Sequence, residues 1–360
     1  MNVENLVDLY SDYLIVSPGQ ATATGLSAMI EGRIGHDQVT RLLASGVMDS
    51  SALWKEVKPI CWEIGSAEGV LIIDDSVEEK KYTSRNELIC WHYDHTQGRS
   101  VKGVNFLTAL YYSQDVSMPV SVEWIKKNQQ ITNKKTGKIT YKSVKTKNEY
   151  FREMVERATG QIDFKYVLAD SWFSGAENLT WVVNNCKKDF IIAIKENRKA
   201  ALSEADKQAG SYSSIQDMEL EGCVQRVYME QLEFPVFLTK QVLKNGDGST
   251  GTLYLATSDG TLSAAQITAI YQKRWKVEEY HKSVKSNASF AKSPTRTVVT
   301  QTSHFIAAIM AFVKLERLKV RNCQNHFAMK TQIMIAAAKA AYEEYLKLST
   351  PIPVLTKFSA

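Results

Sequence analysis

Apolar and polar positions change rhythm several times along the chain, and each change marks a different kind of element. Val3, Leu6, Val7 and Tyr10 recur at helical spacing. Thr24 is placed to cap a helix reaching residue 30, and Asp37 one over 38–44. Ser50 is placed to cap one over 52–57, which Pro59 then ends or kinks. Glycines at 25, 32, 35 and 46 punctuate this stretch, so residues 1–66 read as short helices joined by tight turns. From Gly69 the rhythm differs. GVLIIDDS is a continuous apolar run ending in two carboxylates, as expected of a strand buried on both faces. Further strands are predicted at 105–112, 118–125, 166–169 and 190–194, with helix-like stretches at 148–158 and 176–185. Strands first, then strand–helix alternation, describe a mixed α/β sheet over 67–197.

Residues 198–260 are different again. Polar and Gly-rich punctuation (GSYSS, NGDGSTG) separates strand candidates at 223–229, 235–243 and 252–257, which reads as a β-rich insertion. A long helix is predicted at 263–286, inside a segment spanning 261–300. Two more apolar-periodic helices, near 301–320 and 327–347, fill the region 301–360, and the tail STPIPVLTKFSA reads as loose.

The chain has 360 residues, 44% of them hydrophobic, enough for a large core without disulfide staples. Forty-four basic residues against 39 acidic ones leave a formal charge of +5, which excludes a disordered polycation and neither requires nor forbids a polyanionic partner. The five cysteines are scattered, with no Cys-x-x-Cys, which argues against a thiolate zinc site and fits a reducing cytosol. Glu4, Asp8 and Asp12 give the N-terminus none of the layout of a signal peptide. The best membrane candidate, 305–313, is about half the ~20 residues that a spanning helix needs. These features predict a soluble intracellular protein.

The segment YQKRWKVEEYHKSVKS carries the most chemistry. On an α-helix, Tyr271, Arg274, Glu278, His281, Lys282 and Lys285 fall within an arc of about 100°. Ile270, Val277, Tyr280 and Val284 occupy the adjoining arc, the natural core face. The bland reading is a solvated face with i, i+4 ion pairs. Against it, the stripe abuts the core face, and its cations surround a single acid. A lone carboxylate amid Arg and Lys is suited to holding a metal beside a phosphate backbone. Glu279 falls off the stripe, so Glu278 is the candidate.

Tyr271-x2-Arg274-x3-Glu278-x6-Lys285 resembles the Y-R-E-K signature of the insertion-sequence-four group of bacterial DDE transposases. The likeness continues through RW at 274–275 and EEYHK at 278–282. IIDDS at 72–76 resembles the segment holding that family's first aspartate, VLADSWF at 167–173 the segment holding its second, and YDHTQGRSVKGVNFLTALYYS its second and third strands. The resemblance spans roughly 70–285, in the family's order. It implies a ribonuclease-H-like mixed sheet with a β-rich insertion, a helical N-terminal domain binding DNA ends, a core helix carrying the acid, and C-terminal helices. It also implies Asp74, Asp170 and Glu278 as catalytic metal ligands for two Mg²⁺ ions, about 3.5–4 Å apart, with Mn²⁺ able to substitute. Composition does not choose between Asp74 and Asp75, whose side chains alternate across a strand; the resemblance selects Asp74, and Asp75 then reads as a solvated turn acid. Asp170 alone reads equally as a cap or turn former.

Matching positions imply that Tyr271, Arg274 and Lys285 contact phosphates, with Lys282 as a fourth; Arg274 could clamp one bidentately. His281 reads first as a satisfied surface or core histidine and second as a neighbour of the metals. Family members that pass through a DNA hairpin stack a flipped base on an aromatic in the β insertion. Here that insertion has no Trp, and Tyr254 could stack a base or equally sit in the core. Eight lysines and no acid lie between Trp124 and Glu149; this loop-like stretch is a solvated hairpin or meets phosphates without reading sequence. His92 and His95 lack a third soft ligand and read as structural or DNA-proximal. The resemblance implies a cut-and-paste transposase acting on double-stranded DNA at transposon ends and target, dimeric on paired ends, and bacterial, cytoplasmic and nucleoid-associated. Two alternatives stay open: a stand-alone endonuclease on the same fold, and a catalytically silent transposase-derived DNA-binding protein.

Overall fold

The computed structural model describes residues 3–349 except 95, 96, 133, 138, 245 and 247. His95, Lys138 and the tail from residue 350 thus lie outside the described residues. Four helices open the chain: α1 (Val3–Val16), α2 (Ala23–Met29), α3 (His36–Ala44) and α4 (Ser50–Glu63). Their caps differ from those the sequence suggests. Thr22, not Thr24, accepts from the Gly25 amide at 2.9 Å. Asp49, not Ser50, accepts from the Ala52 amide at 2.8 Å, while Ser50 donates its hydroxyl to Val122 O. Helix α3 begins at His36, and its cap is not Asp37 but Gly35, whose amide donates to the Gln38 side chain. Helix α4 runs through Pro59, because Pro59 and the Lys55 carbonyl it leaves unbonded lie on the solvent face.

The sheet begins with β1 (Val70–Glu79), followed by β2 (Cys90–Asp94), β3 (Arg99–Ser113) and β4 (Val116–Trp124). A separate hairpin, β5 (Gln129–Thr132) and β6 (Ile139–Lys142), precedes α5 (Lys147–Thr159) and β7 (Tyr166–Ala169). Helix α6 (Ala176–Thr180) continues into a π-helical turn before β8 (Asp189–Ile194). A short pair, β9 (Lys199–Ala200) and β10 (Ser213–Ser214), flanks α7 (Glu204–Gln208). The strands β11 (Gln225–Val227), β12 (Val236–Lys244) and β13 (Thr250–Thr257) follow, then α8 (Ala264–Gln272), α9 (Trp275–Asn287), α10 (Val298–Asn322) and α11 (His326–Ser349).

Among the described residues nine strands form one mixed sheet. Its order is β11-β12-β13-β8-β7-β1-β3-β2, with β4 also on β3. Strand β1 runs antiparallel to β3 and parallel to β7, and β7 runs parallel to β8, an arrangement compatible with a ribonuclease-H-like sheet. The apolar run Val70 to Ile73 is buried because sheet partners flank it and helices cover both faces. The strand does not end at its carboxylates, however. The fifteen-residue β3 pairs with it as far as Glu79↔Gly103, where only glycine fits: a Cβ on Gly103 would stand 2.1 Å from Glu78 O. Strand β13 pairs with β8, so β11, β12 and β13 extend this same sheet, while β9 and β10 pair only with each other.

One continuous hydrophobic core joins the N-terminal helices, the sheet and α10. Helix α10 is long and apolar enough to cross a membrane, but residues 305 to 313 are all buried within the protein. The helix expected over 263–286 is two. At the junction the Lys273, Arg274, Lys276 and Val277 amides bond three residues back, tightening the turn between α8 and α9.

Candidate active site

Strand register brings the first two acids together. Ile73 pairs with Ala169 across the parallel β1–β7 ladder, so Asp74 and Asp170 each come directly after the last paired position of two neighbouring strands. The pleat then sorts the carboxylates of β1. Asp74, Ser76 and Glu78 share the face covered by α9, where Arg274 Nη1 lies 3.6 Å from Asp74 Oδ2 and Lys285 Nζ 3.3 Å from Glu78 Oε2. Asp75 points the other way and pairs with Lys147, the first residue of α5, at 2.5 Å. Asp75 is therefore a half-buried, paired strand residue and not a solvated turn acid.

Arg274 bridges to the third acid, with Nη1 3.4 Å from Glu278 Oε1 one turn along α9. Asp74, Glu278 and His281 each place one ligand atom within 4.8 Å of the others'. Asp170 is outside that tight trio. Its Oδ1 accepts from the Trp172 amide at 3.0 Å, capping the 3-10 turn Ser171–Phe173. It nonetheless lines the same open cleft of about 880 Å³, together with Asp74, Asp75, Lys147, Arg274 and Glu278.

The electrostatics join the four. Burial raises the Asp74 pKa well above the usual carboxylate range; Arg274 opposes this, while Glu278 and Asp170 add to it. Burial also raises Asp170, against the Trp172 N–H and the charges of Arg274 and Lys147, with Asp75 pushing it further up. Burial opposes the Arg274 charge, but Tyr271 and the three acids outweigh it and raise that pKa. Burial lowers His281 to about 3, assisted by Lys285 and Arg274, which leaves its imidazole neutral. A partly buried pocket that gathers carboxylates around one guanidinium is suited to exchanging that cation for a harder one. The carboxylates supply the oxygen donors Mg²⁺ requires, and His281, whose Nε2 has no hydrogen-bond partner, brings a ring nitrogen within 4.8 Å of them. The residues fit a divalent ion.

The remaining candidates are placed unevenly. Lys282 is exposed at the cleft, its Nζ 5.1 Å from the Phe327 ring centre. Lys285 also lines the cleft but donates to Ser76 Oγ and Val77 O at 2.9 Å each. Tyr271 is buried, its pKa pushed up to about 12 by burial, and its hydroxyl donates to Ala169 O at 3.3 Å, supporting the strand before Asp170. Tyr254 is 6% exposed on β13, its ring in the core, so the core position is the one realised and no stacking surface is presented. The lysine-rich stretch folds in part as the exposed hairpin β5–β6, while Lys145 pairs with Glu153 at 2.6 Å. His92 is buried with its Nε2 3.1 Å from Cys90 Sγ.

Two participants escape the sequence. Lys147 was visible only as one lysine among eight, and Lys195, at the end of β8, carried no motif; both line the cleft. His281 was legible as a stripe member, but its burial was not.

Residues 5–214 match the family described as DDE superfamily endonuclease, and residues 121–313 match the family described as transposase DDE domain. The first span contains Asp74 and Asp170, the second Asp170 and Glu278. No curated protein matches the chain.

Proposed function

The chain belongs to the DDE superfamily of endonucleases and transposases, and from that premise we propose that it cuts double-stranded DNA at the terminal inverted repeats of its own element and joins the freed 3′ ends to target DNA. The observation that carries this reading is the convergence of Asp74 and Glu278 on Arg274 in one cleft, with Asp170 lining it just past the end of the neighbouring strand. Asp74, Asp170 and Glu278 would hold divalent ions, Mg²⁺ by donor chemistry with Mn²⁺ able to substitute, and such ions supply charge compensation and an activated water or 3′-hydroxyl.

The protein's own groups do the rest. Arg274 offers a planar guanidinium beside the acids, able to take a phosphate bidentately once cations neutralise its carboxylate partners. Lys282 sits exposed at the cleft for a backbone phosphate, and Lys285 lies beside it at the end of β1. Tyr271 braces the strand that presents Asp170. The N-terminal helices would bind the ends, and two copies would pair them.

The test is a labelled duplex carrying the inverted repeats that flank the gene, incubated with Mg²⁺ and a target plasmid. Wild-type protein should cut and join. Asp74→Ala, Asp170→Ala and Glu278→Ala should each lose on the order of 10³-fold or more in cutting while still binding the ends. Near-normal cutting by one variant removes that residue from the site. Cutting without joining, even when a 3′-hydroxyl donor is supplied, would leave an endonuclease.

A further inference from the structure

Among the described residues four histidines are buried, and three of them have a polar side chain or carbonyl beside a ring nitrogen. His304 bonds Tyr10, Ser289 and Phe290; His326 meets Ser283 and Glu316; His92 meets Cys90. His281 is the exception. It is 5% exposed, its Nε2 has no hydrogen-bond partner, and it packs edge-on to Phe106 with ring centres 5.6 Å apart. Leaving a buried polar atom unpaired is costly, so packing alone is a poor account of a histidine there. The ring also lines the acidic cleft, one helical turn beyond Glu278, with a nitrogen within 4.8 Å of ligand atoms of both Asp74 and Glu278.

We propose that His281 completes a divalent-cation position with Asp74 and Glu278, giving a mixed nitrogen–oxygen donor set that binds Mn²⁺ more tightly than Mg²⁺. The inference rests on the reading that these two carboxylates hold a cation, and goes beyond it in assigning the third donor and the ion preference. Around a six-coordinate ion with bonds of about 2.1 Å, donors stand about 3 Å apart when adjacent and about 4.2 Å when opposite, so small side-chain movements suffice to bring this trio together. Mg²⁺ takes oxygen donors and gives up its waters reluctantly, whereas first-row transition ions accept imidazole. The ring is neutral near pH 7 and its lone pair needs no deprotonation. Arg274, which now lies between the two carboxylates, would yield its place to the cation and turn to substrate.

The experiment titrates Mn²⁺ into the full-length protein and looks for nitrogen hyperfine coupling by pulsed electron paramagnetic resonance, with Mg²⁺ competition in parallel. Wild-type protein should show the coupling. His281→Ala and the more conservative His281→Gln should lose it, weakening Mn²⁺ roughly tenfold and Mg²⁺ by less than about threefold. Because the coupling is read first on the wild-type protein, poor folding of a variant does not blunt the test. Mn²⁺ bound without nitrogen coupling, or coupling that persists in folded His281→Gln, overturns the assignment of His281 and leaves the carboxylate site standing. Failure of wild-type protein to bind Mn²⁺, or binding unaffected by Asp74→Ala, overturns the carboxylate site as well.

Discussion

Asp74 is 8% exposed, and burial outweighs Arg274 in setting its acidity. In protein stripped of divalent ions its folded pKa stands above the unfolded one, so the folded state holds the extra proton. Stability from this group is then fully present below the ordinary Asp value and lost as pH rises through the raised one. Asp74→Asn removes the buried charge while keeping shape, and Arg274 retains Glu278. The variant should therefore melt a few degrees above stripped wild-type protein at pH 7, the gap closing on acidification and on adding Mg²⁺, which stabilises only wild type. A variant that melts lower than wild type throughout would show that the Arg274 pair dominates. Glu278 and Glu279 make a second contrast. Glu279 is 65% exposed and pairs with Lys276 at 3.0 Å, an interaction worth little at a surface. Glu279→Ala should change cutting by no more than about fivefold, and equal severity with Glu278→Ala in a cleavage assay would sink the assignment of the third acid. At this scale the sequence discloses residue types but not surroundings. Asp74 and Asp75 look alike in IIDDS; the pleat gives one to α9 and the other to Lys147. The burial of His281 depends on Phe106, far away in the chain, and leaves no local trace.

Elements were read more fully than residues. The strand 166–169 lies where its apolar run predicts, and the helices near 301–320 and 327–347 are present with slightly longer ends. The long helix expected before them is divided into α8 and α9 for a definable reason. An even 100° step treats Tyr271 as a neighbour of Glu278, but the turn at 273–274 is wound with three-back bonds, which advance about 120° per residue. Tyr271 is buried with its hydroxyl on Ala169 O and its ring 6.0 Å from the Arg274 guanidinium, while Arg274 and Glu278 remain one turn apart and paired. The far end of α9 is fixed by Lys285, whose ammonium reaches Ser76, Val77 and Glu78 on the second half of β1. That clamp holds strand and helix at one spacing where the acids face each other. Burial raises the Glu78 pKa against the pull of Lys285, so removing the lysine leaves an acid that shifts toward its protonated form. Lys285→Ala should lower stability by about 1–3 kcal/mol in denaturant unfolding. If the ammonium also meets phosphate, the salt dependence of DNA binding should fall by about one charge. An unchanged unfolding midpoint would mean that the clamp contributes nothing.

At the scale of the whole molecule, contacts between distant segments decide the outcome, and these are what a linear pattern hides. The N-terminal helices read as a unit of their own, yet α1, α3 and α4 pack against α10 within the common core. Lys314 of α10 reaches Asp8 and Asp12 of α1. A buried polar cluster then ties α10 to the site. Glu316, its side chain 3% exposed, accepts from the Ser117 amide of β4 at 2.8 Å and pairs with Lys319 at 2.5 Å and His326 Nε2 at 2.8 Å. His326 Nδ1 meets Ser283 Oγ on α9 at 2.8 Å, one turn beyond Glu279. Three elements thus meet on one carboxylate, and α9 joins them through His326. Burial alone would raise the Glu316 pKa, but the bonds from His326, Lys319 and Ser117 outweigh it and hold it below the ordinary Glu value. The sign is opposite to that of Asp74: Glu316 stabilises above the unfolded Glu pKa, and the contribution is lost as pH falls through the lower folded value. Replacing Glu316 by Leu leaves the His326 and Ser117 donors buried without partners, a change that costs about 3–5 kcal/mol when one member of a buried pair is removed. Glu316→Leu should accordingly unfold at much lower denaturant and lose the acid-dependent fall in stability that wild-type protein retains below the Glu range. Glu316→Gln, which keeps acceptors for two of the three donors, should lie between them. A Leu variant as stable as wild type would show that α9 is positioned by apolar packing alone, and that the polar cluster is a passenger in the core.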